Sequence, residues 1–210
     1  MNSKADAGSR FGLVLAARRD LCLDFVNTLA WRGSTPSESL HTIADVAAWC
    51  ASSGAILAGA LEDPAGWAAM RPGRAVALFR EAIEIRESLY SVFHAIASGG
   101  HPAEQDLSAI NGWLERTPRR KALRMAAAGF GWAAGSARVT DAPTLLAPVL
   151  WSAGDLLTGN QLARVRECAN SKCLWIFLDE SKNGTRRWCS MSACGNRAKA
   201  HRHYARKKAG

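Results

Sequence analysis

The chain is 210 residues long and 48% hydrophobic with eight Trp, and it carries 27 Lys and Arg against 18 Asp and Glu, a formal net charge of +9. That apolar content suffices for a core and argues against wholesale disorder, while no run nears the roughly 20 apolar residues that cross a bilayer, so no membrane partner is expected. The apolar patch near the start is short and broken by Arg18, Arg19 and Asp20, which does not make a signal peptide and leaves a cytoplasmic, thiol-reducing location as the expectation.

Leu21 to Leu29 form an apolar segment, helix or strand, with Asp24 and Asn27 embedded in it. A carboxylate and an amide so placed are candidates to line a small-ligand pocket; the plainer reading is that they cap or cross-link backbone groups. Thr42 or Asp45 caps a short helix through Val46, Trp49 and Cys50, stopped near Gly54. Pro72 and Gly73 open the strongest helix of the chain. Its Val76, Phe79, Ile83, Arg86, Tyr90 and Phe93 follow the spacing of one face, and Gly99-Gly100 end it. Glu84 and Glu87 on that helix are read as ion-pair partners of Arg80 and its neighbours.

Pro102, at a first-turn position, opens a helix through Leu107, Ile110 and Leu114 that ends before Pro118. Residues 119–139 alternate loosely and suggest two short strands joined by a turn around Ala127–Gly129. Asp141 and Pro143 start a helix through Leu146, Val149, Leu150, Leu156 and Leu157, with Gly159-Asn160 as its stop; Pro148 either kinks it or marks its true start. Cys22 and Cys50, far apart in apolar surroundings, read as buried core thiols.

The other four cysteines form two C-x4-C pairs, Cys168 with Cys173 and Cys189 with Cys194. Two close thiolate pairs can close a tetrahedron around one Zn²⁺, and in a reducing compartment paired cysteines favour metal over disulfides. A metal-free reduced cluster, an iron–sulfur cluster, and replacement of a thiolate by His201 or His203 are the alternatives. Leu174 to Asp179 reads as a strand, Ser181-Lys182-Asn183-Gly184 as a hairpin turn, and Arg186-Arg187-Trp188 as the return toward Cys189. Cys194-Gly195 then leads into a basic, Ala-containing helix with Asn196 as its N-cap. Knuckle, hairpin, second ligand pair and helix describe a treble-clef or ribbon-like zinc finger, too small to fold without the metal's contribution. Four thiolates leave no open position, so the zinc is structural. No Ser/His/Asp set, phosphate loop or dinucleotide fingerprint appears, and the chain is not read as an enzyme.

All the excess charge sits on this module. Arg164 to Gly210 hold twelve Lys and Arg against three acids, which leaves fifteen of each sign in the rest of the chain. A concentrated cationic surface on a zinc module favours a phosphate backbone. The candidate contacts are Arg186, Arg187, Asn196, Arg197, Lys199, Arg202, His203 and Arg206, of which Asn196, Arg197 and Lys199 could reach base edges. Trp175 and Trp188 either pack on the metal site or stack on unpaired bases. The predicted fold is mainly α with a small α+β part: a helical domain over residues 10–162, followed by the finger over 163–210.

Trp188-Cys189-Ser190-Met191, Cys194-Gly195-Asn196-Arg197 and Lys199 resemble the signature of the CGNR zinc-finger family, as do Cys168-x4-Cys173, Phe177-Leu178-Asp179 and Arg186-Arg187. Leu21-Cys22-Leu23-Asp24-Phe25-Val26-Asn27-Thr28 is similar to the opening of the ABATE domain, which precedes the finger in family members, so the resemblance covers nearly the whole chain. It implies zinc ligation by Cys168, Cys173, Cys189 and Cys194, no catalytic residues, and a role described either as stress-induced transcription regulation or as RNA binding by a zinc ribbon. The leading expectation is a transcription regulator that binds DNA through the finger, with the N-terminal domain sensing a small-molecule effector or mediating association, homo-oligomers included. The alternatives are an RNA-binding zinc ribbon and a zinc-stabilised module whose basic face meets an acidic protein.

Overall fold

The computed structural model describes residues 11–15, 18–55, 71–126, 129–135 and 141–209. The apolar opening segment resolves as a helix, Leu21–Val26 (α1), with five of its six residues buried. Two short antiparallel strands follow, Leu29–Ala30 (β2) and Ser37–Glu38 (β3). Ahead of them, Phe11–Leu15 forms β1.

Ile43–Ser53 (α2) begins on a capping box, in which the Thr42 hydroxyl accepts the Asp45 N–H and the Asp45 carboxylate accepts the Thr42 N–H. It ends on Gly54, whose φ of 72° is the left-handed conformation glycine adopts without Cβ strain. The long helix Pro72–Ala97 (α3) carries Pro in its first turn, as expected. Its buried face shares Arg86 and Phe93 with the predicted stripe and otherwise lies beside it: Leu78, Ala82, Ile85, Leu89 and Val92 are also buried, whereas Val76 is 58% exposed. Phe79, Ile83 and Tyr90 flank the core instead, because α1, α2, α4 and the finger strands set which stripe they cover, and the spacing alone fits either of two adjacent stripes.

Glu104–Arg116 (α4) starts two residues beyond Pro102, with Ala103 as its N-cap, so the proline precedes the first turn rather than lying in it. Arg120–Ala126 (β4) and Gly129–Gly135 (β5) pair antiparallel, and β1 joins the far side of β5 to make a three-stranded sheet; residues 127 and 128 of the expected turn lie outside the described residues. Leu146 divides the next helical stretch into Ala142–Leu145 (α5) and Ala147–Thr158 (α6). Asp141 caps α5 by accepting the Thr144 N–H at 2.9 Å, and Pro148 sits in the first turn of α6, so it marks a start and not a kink.

After a 3₁₀ turn at Leu162–Arg164 come two short antiparallel strands, Val165–Glu167 (β6) and Ile176–Leu178 (β7). A wide helical turn, Met191–Gly195, runs into the basic helix Asn196–Ala209 (α7). Mostly helical structure with small antiparallel pairs, ending in the cysteine module, is the predicted fold class. The predicted hairpin is placed differently. β7 pairs with β6 across the first cysteine pair, not with Arg186–Trp188 across the Asn-Gly turn. The reason is apolar burial: Val165, Ile176 and Leu178 join the cluster of α1, α3 and α6, whereas Arg186 and Arg187 are exposed.

Two further features fasten the finger to the helices. Asn27 is 7% exposed and spends its whole amide on β7, donating to the Ile176 carbonyl at 2.7 Å and accepting the Ile176 N–H at 3.1 Å. A chain of polar contacts starts at the fully buried Arg86, which makes two 2.7 Å bonds to Glu38 and one of 2.8 Å to Glu87. Glu87 also accepts from Arg32, whose guanidinium lies 3.9 Å from the Tyr90 ring centroid. Tyr90 stacks on His94, and His94 Nδ1 meets the carboxylate of Glu167, the neighbour of Cys168. Glu87 thus pairs with Arg32 and Arg86, where Arg80 and its neighbours were the expected partners. Among the described residues no helix is long and apolar enough to cross a membrane.

Candidate metal centre and its basic surround

Sequence-distant cysteines meet because the β6–β7 pair closes the first knuckle and the Met191–Gly195 turn brings in the second. In the knuckle the Asn170 carbonyl accepts the Cys173 N–H at 2.7 Å, the Asn170 side chain accepts the Lys172 N–H at 3.2 Å, and Cys168 N–H bonds the Trp175 carbonyl at 2.9 Å. Gly195, beneath the second pair, leaves room that a Cβ would fill: it would lie 2.7 Å from the Met191 sulfur. The approach to Cys189 is organised by Asp179, fully buried and accepting from the Ser181 hydroxyl at 2.6 Å, the Ser181 N–H at 2.9 Å and the Arg186 N–H at 2.9 Å. Those donors, the Ser181 hydroxyl first, hold the Asp179 carboxyl below the usual carboxylate range.

The result is a compact quartet. The ligand atoms of Cys168, Cys173, Cys189 and Cys194 all lie within 4.8 Å of one another, with Sγ–Sγ separations of 3.7 Å for Cys173–Cys189 and 3.8 Å for Cys189–Cys194. A tetrahedron with Zn–S bonds of about 2.3 Å has edges of about 3.8 Å, so the donor set fits one Zn²⁺. Without a cation these thiols conflict. The Cys189 thiol donates to Cys168, which holds Cys168 down at about 5, while burial and the Cys168 charge push Cys173 up to about 12. The same donation to Cys168, with burial, raises Cys189 as well. A divalent cation neutralises that repulsion and keeps all four sulfurs as thiolates. Asn170 supports the site from outside, its amide donating to Cys194 Sγ at 3.4 Å. Three cysteines are buried and the fourth half-buried, with Trp31, Trp188 and Phe177 packed around them. Four protein sulfurs around one ion leave no position for a substrate, the pattern of a structural zinc.

Cys22 and Cys50 are fully buried in the helical core, where burial pushes each thiol up to about 12. They are inert packing groups, as read.

The predicted basic contacts divide into four groups. Arg187 and Lys199 are exposed, as are Lys207 and Lys208 further along α7. Arg186 and Asn196 have internal work. Arg186 donates to the Trp188 carbonyl at 2.9 Å and to the Cys189 carbonyl, and lies 4.5 Å from the Phe177 ring centroid, so it braces the second knuckle. Asn196 is not the N-cap: it has helical dihedrals and donates to the Ser192 carbonyl at 3.3 Å, while Ser190 caps the preceding turn. Arg197 is exposed but stacks 4.5 Å from the Trp31 centroid. Arg202, His203 and Arg206 lie on α7, and their side chains are outside those described.

Asp24 and Asn27 take separate partners. Asp24 is ion-paired with Arg18, and Asn27 is committed to β7, the backbone cross-link that was the plainer reading. What sequence reasoning missed is the loop after α1. Trp31 and Gly33 reach the finger from the helical domain, with Gly33 so close to the knuckle that a Cβ there would lie 1.9 Å from the Ser171 carbonyl oxygen. A lone glycine between Arg32 and Ser34 carries no signal of a contact made nearly 140 residues away.

Comparison with known proteins agrees with the two-part arrangement. Residues 19–160 match the ABATE family, described as "putative stress-induced transcription regulator", and residues 164–207 match the CGNR zinc finger. Neither description names a catalytic activity, and no curated protein matches the chain. With a helical domain of that kind over most of its length and the four-cysteine module behind it, the chain belongs to the ABATE family and carries a CGNR zinc finger at its C-terminal end.

Proposed function

We propose that this chain is a transcription regulator that binds DNA through the basic face of its finger, with the helical domain over residues 10–162 sensing a small-molecule effector or mediating association. The observation that carries the reading is charge segregation: twelve Lys and Arg against three acids from Arg164 onward, on a chain otherwise neutral. Four thiolates and one Zn²⁺ add only −2, so the finger stays strongly cationic with the metal bound. Arg164, Arg166 and Arg186 are held by backbone carbonyls. Arg187, Lys199, Lys207 and Lys208, exposed, supply the phosphate contacts, with Arg202, His203 and Arg206 on the same helix. Such contacts give affinity and position; sequence would be read at base edges.

The test is the salt dependence of binding by the full, zinc-loaded chain. With duplex DNA, log K should fall linearly with log salt, by roughly 0.9 per phosphate neutralised, and Arg187→Ala with Lys199→Ala should reduce the slope by about two contacts' worth. Binding confined to RNA replaces DNA as the target. Absence of binding to either at low salt overturns the reading in favour of an acidic protein partner.

A further inference from the structure

A cleft of about 470 Å³ opens between the finger and the loop after α1, lined by Trp31, the knuckle from Ala169 to Lys172, Trp188, Arg197, Ala200 and Tyr204. Its volume lies in the range of small-ligand sites, roughly 300–1,000 Å³. Both indoles carry a guanidinium: Arg197 is 4.5 Å from the Trp31 centroid and Arg187 5.5 Å from that of Trp188. Trp31 also holds a φ of 58°, in the left-handed region. A bulky side chain enters that region only where its surroundings enforce it, and such strained residues gather at binding sites. The enforcing contacts are present: Gly33 touches the knuckle backbone, and the Ser34 hydroxyl donates to the Lys172 carbonyl at 3.4 Å.

Flat aromatic walls select a planar ring system, and Arg197 with exposed Lys172 select an anion beside it. A plain aliphatic acid would leave the indoles unused, and a base inside a duplex has both faces covered by its neighbours. A nucleobase joined to a phosphate meets both demands. We propose that this cleft receives one nucleobase with its adjoining phosphate, the base stacked on the Trp31–Arg197 wall and the phosphate held by Arg197 and Lys172. The inference rests on the nucleic-acid reading and sharpens it: the target presents at least one unpaired base at the junction of helical domain and finger. A free mononucleotide carries the same chemistry and would reach the same cleft as an effector.

The experiment uses the full, zinc-loaded chain and three probes: a ten-nucleotide single strand, the same strand with its central bases removed, and AMP. The intact strand should bind roughly tenfold to a hundredfold more tightly than its abasic counterpart, which has the same phosphates. Ala200→Phe, which fills the cleft from an exposed position on α7, should abolish that difference and leave abasic-strand affinity and zinc content unchanged. Trp31→Phe should retain most of it. AMP binding that is lost in Ala200→Phe identifies the free nucleotide as a ligand of the same cleft. Equal affinity for intact and abasic strands, with no AMP binding, overturns the proposal; if both strands still bind with a steep salt slope, the finger's nucleic-acid role survives that failure. A base-dependent gain that persists in Ala200→Phe places the base elsewhere and overturns it too.

Discussion

Asn27→Ala should weaken the whole fold although it removes only a short polar side chain. The register of the finger strands explains why. Asp179 N–H bonds the Arg164 carbonyl and Cys168 N–H bonds the Trp175 carbonyl, each at 2.9 Å, so hydrogen-bonded pairs alternate along the ladder and Ile176 opposite Glu167 falls between them. The Ile176 N–H and carbonyl therefore point away from β6, and Asn27 alone takes both. Ile176 is fully buried. Removing the amide leaves two buried backbone groups unsatisfied at about 1–3 kcal/mol each, so the expected loss is about 2–6 kcal/mol. Urea unfolding followed by Trp fluorescence and by circular dichroism should show a lower midpoint with an unchanged slope. Zinc should also pass faster to a chromophoric chelator, because β7 begins at Ile176, just beyond Cys173. Asn27→Asp keeps the acceptor but sets a carboxylate against the Ile176 carbonyl, and should be no better than Ala. A loss below about 0.5 kcal/mol in both variants would refute the claim that this amide fastens the finger to the core.

Two further outcomes follow from contacts at the same junction. Gly33→Ala puts a methyl group 1.9 Å from the Ser171 carbonyl oxygen, so loop and knuckle must separate; the cost should be about 1–3 kcal/mol in thermal or urea unfolding, and wild-type stability would show that the loop is not seated on the knuckle. Burial works against the charge of Glu38, yet Arg86 and the Leu40 N–H outweigh it and hold its carboxyl below the usual range, as the Ser181 hydroxyl does for Asp179. A depressed carboxyl contributes stability that is complete above its unfolded value, about 4, and lost as pH falls through the folded value. The urea midpoint should therefore drop as pH falls below about 4, and Glu38→Gln should lower stability at neutral pH while flattening that acid limb. An acid limb of wild-type steepness in Glu38→Gln would contradict the assignment.

Much of this molecule was legible in one dimension because the signals are local. The Thr42/Asp45 cap and the Gly54 stop lie within one helix, the two C-x4-C pairs declare a tetrahedral thiolate site by their spacing, and the excess charge is visible by counting along the tail. Periodicity left open which of two adjacent stripes of α3 is buried, with Arg86 and Phe93 in both, since only the neighbours choose between them. Turn chemistry misled at Asn183-Gly184: a hairpin needs a second strand with a face to bury, and Arg186 and Arg187 offer none, whereas Val165 does.

The sequence by itself determined that a helical domain precedes a cationic four-cysteine finger, because hydrophobic spacing, caps, ligand pairs and charge are properties of neighbouring residues. Tertiary structure alone decided that the two parts share one core, that Asn27 cross-links β7 instead of lining a pocket, and that Arg186 and Asn196 serve the finger's own architecture. It alone brought Trp31 to the wall of the cleft beside Arg197. The shared core, the Asn27 cross-link and the Trp31 wall each depend on groups that meet across more than a hundred residues, which no local pattern records, whereas Arg186 and Asn196 bond carbonyls two to four residues away that only the folded turn presents to them.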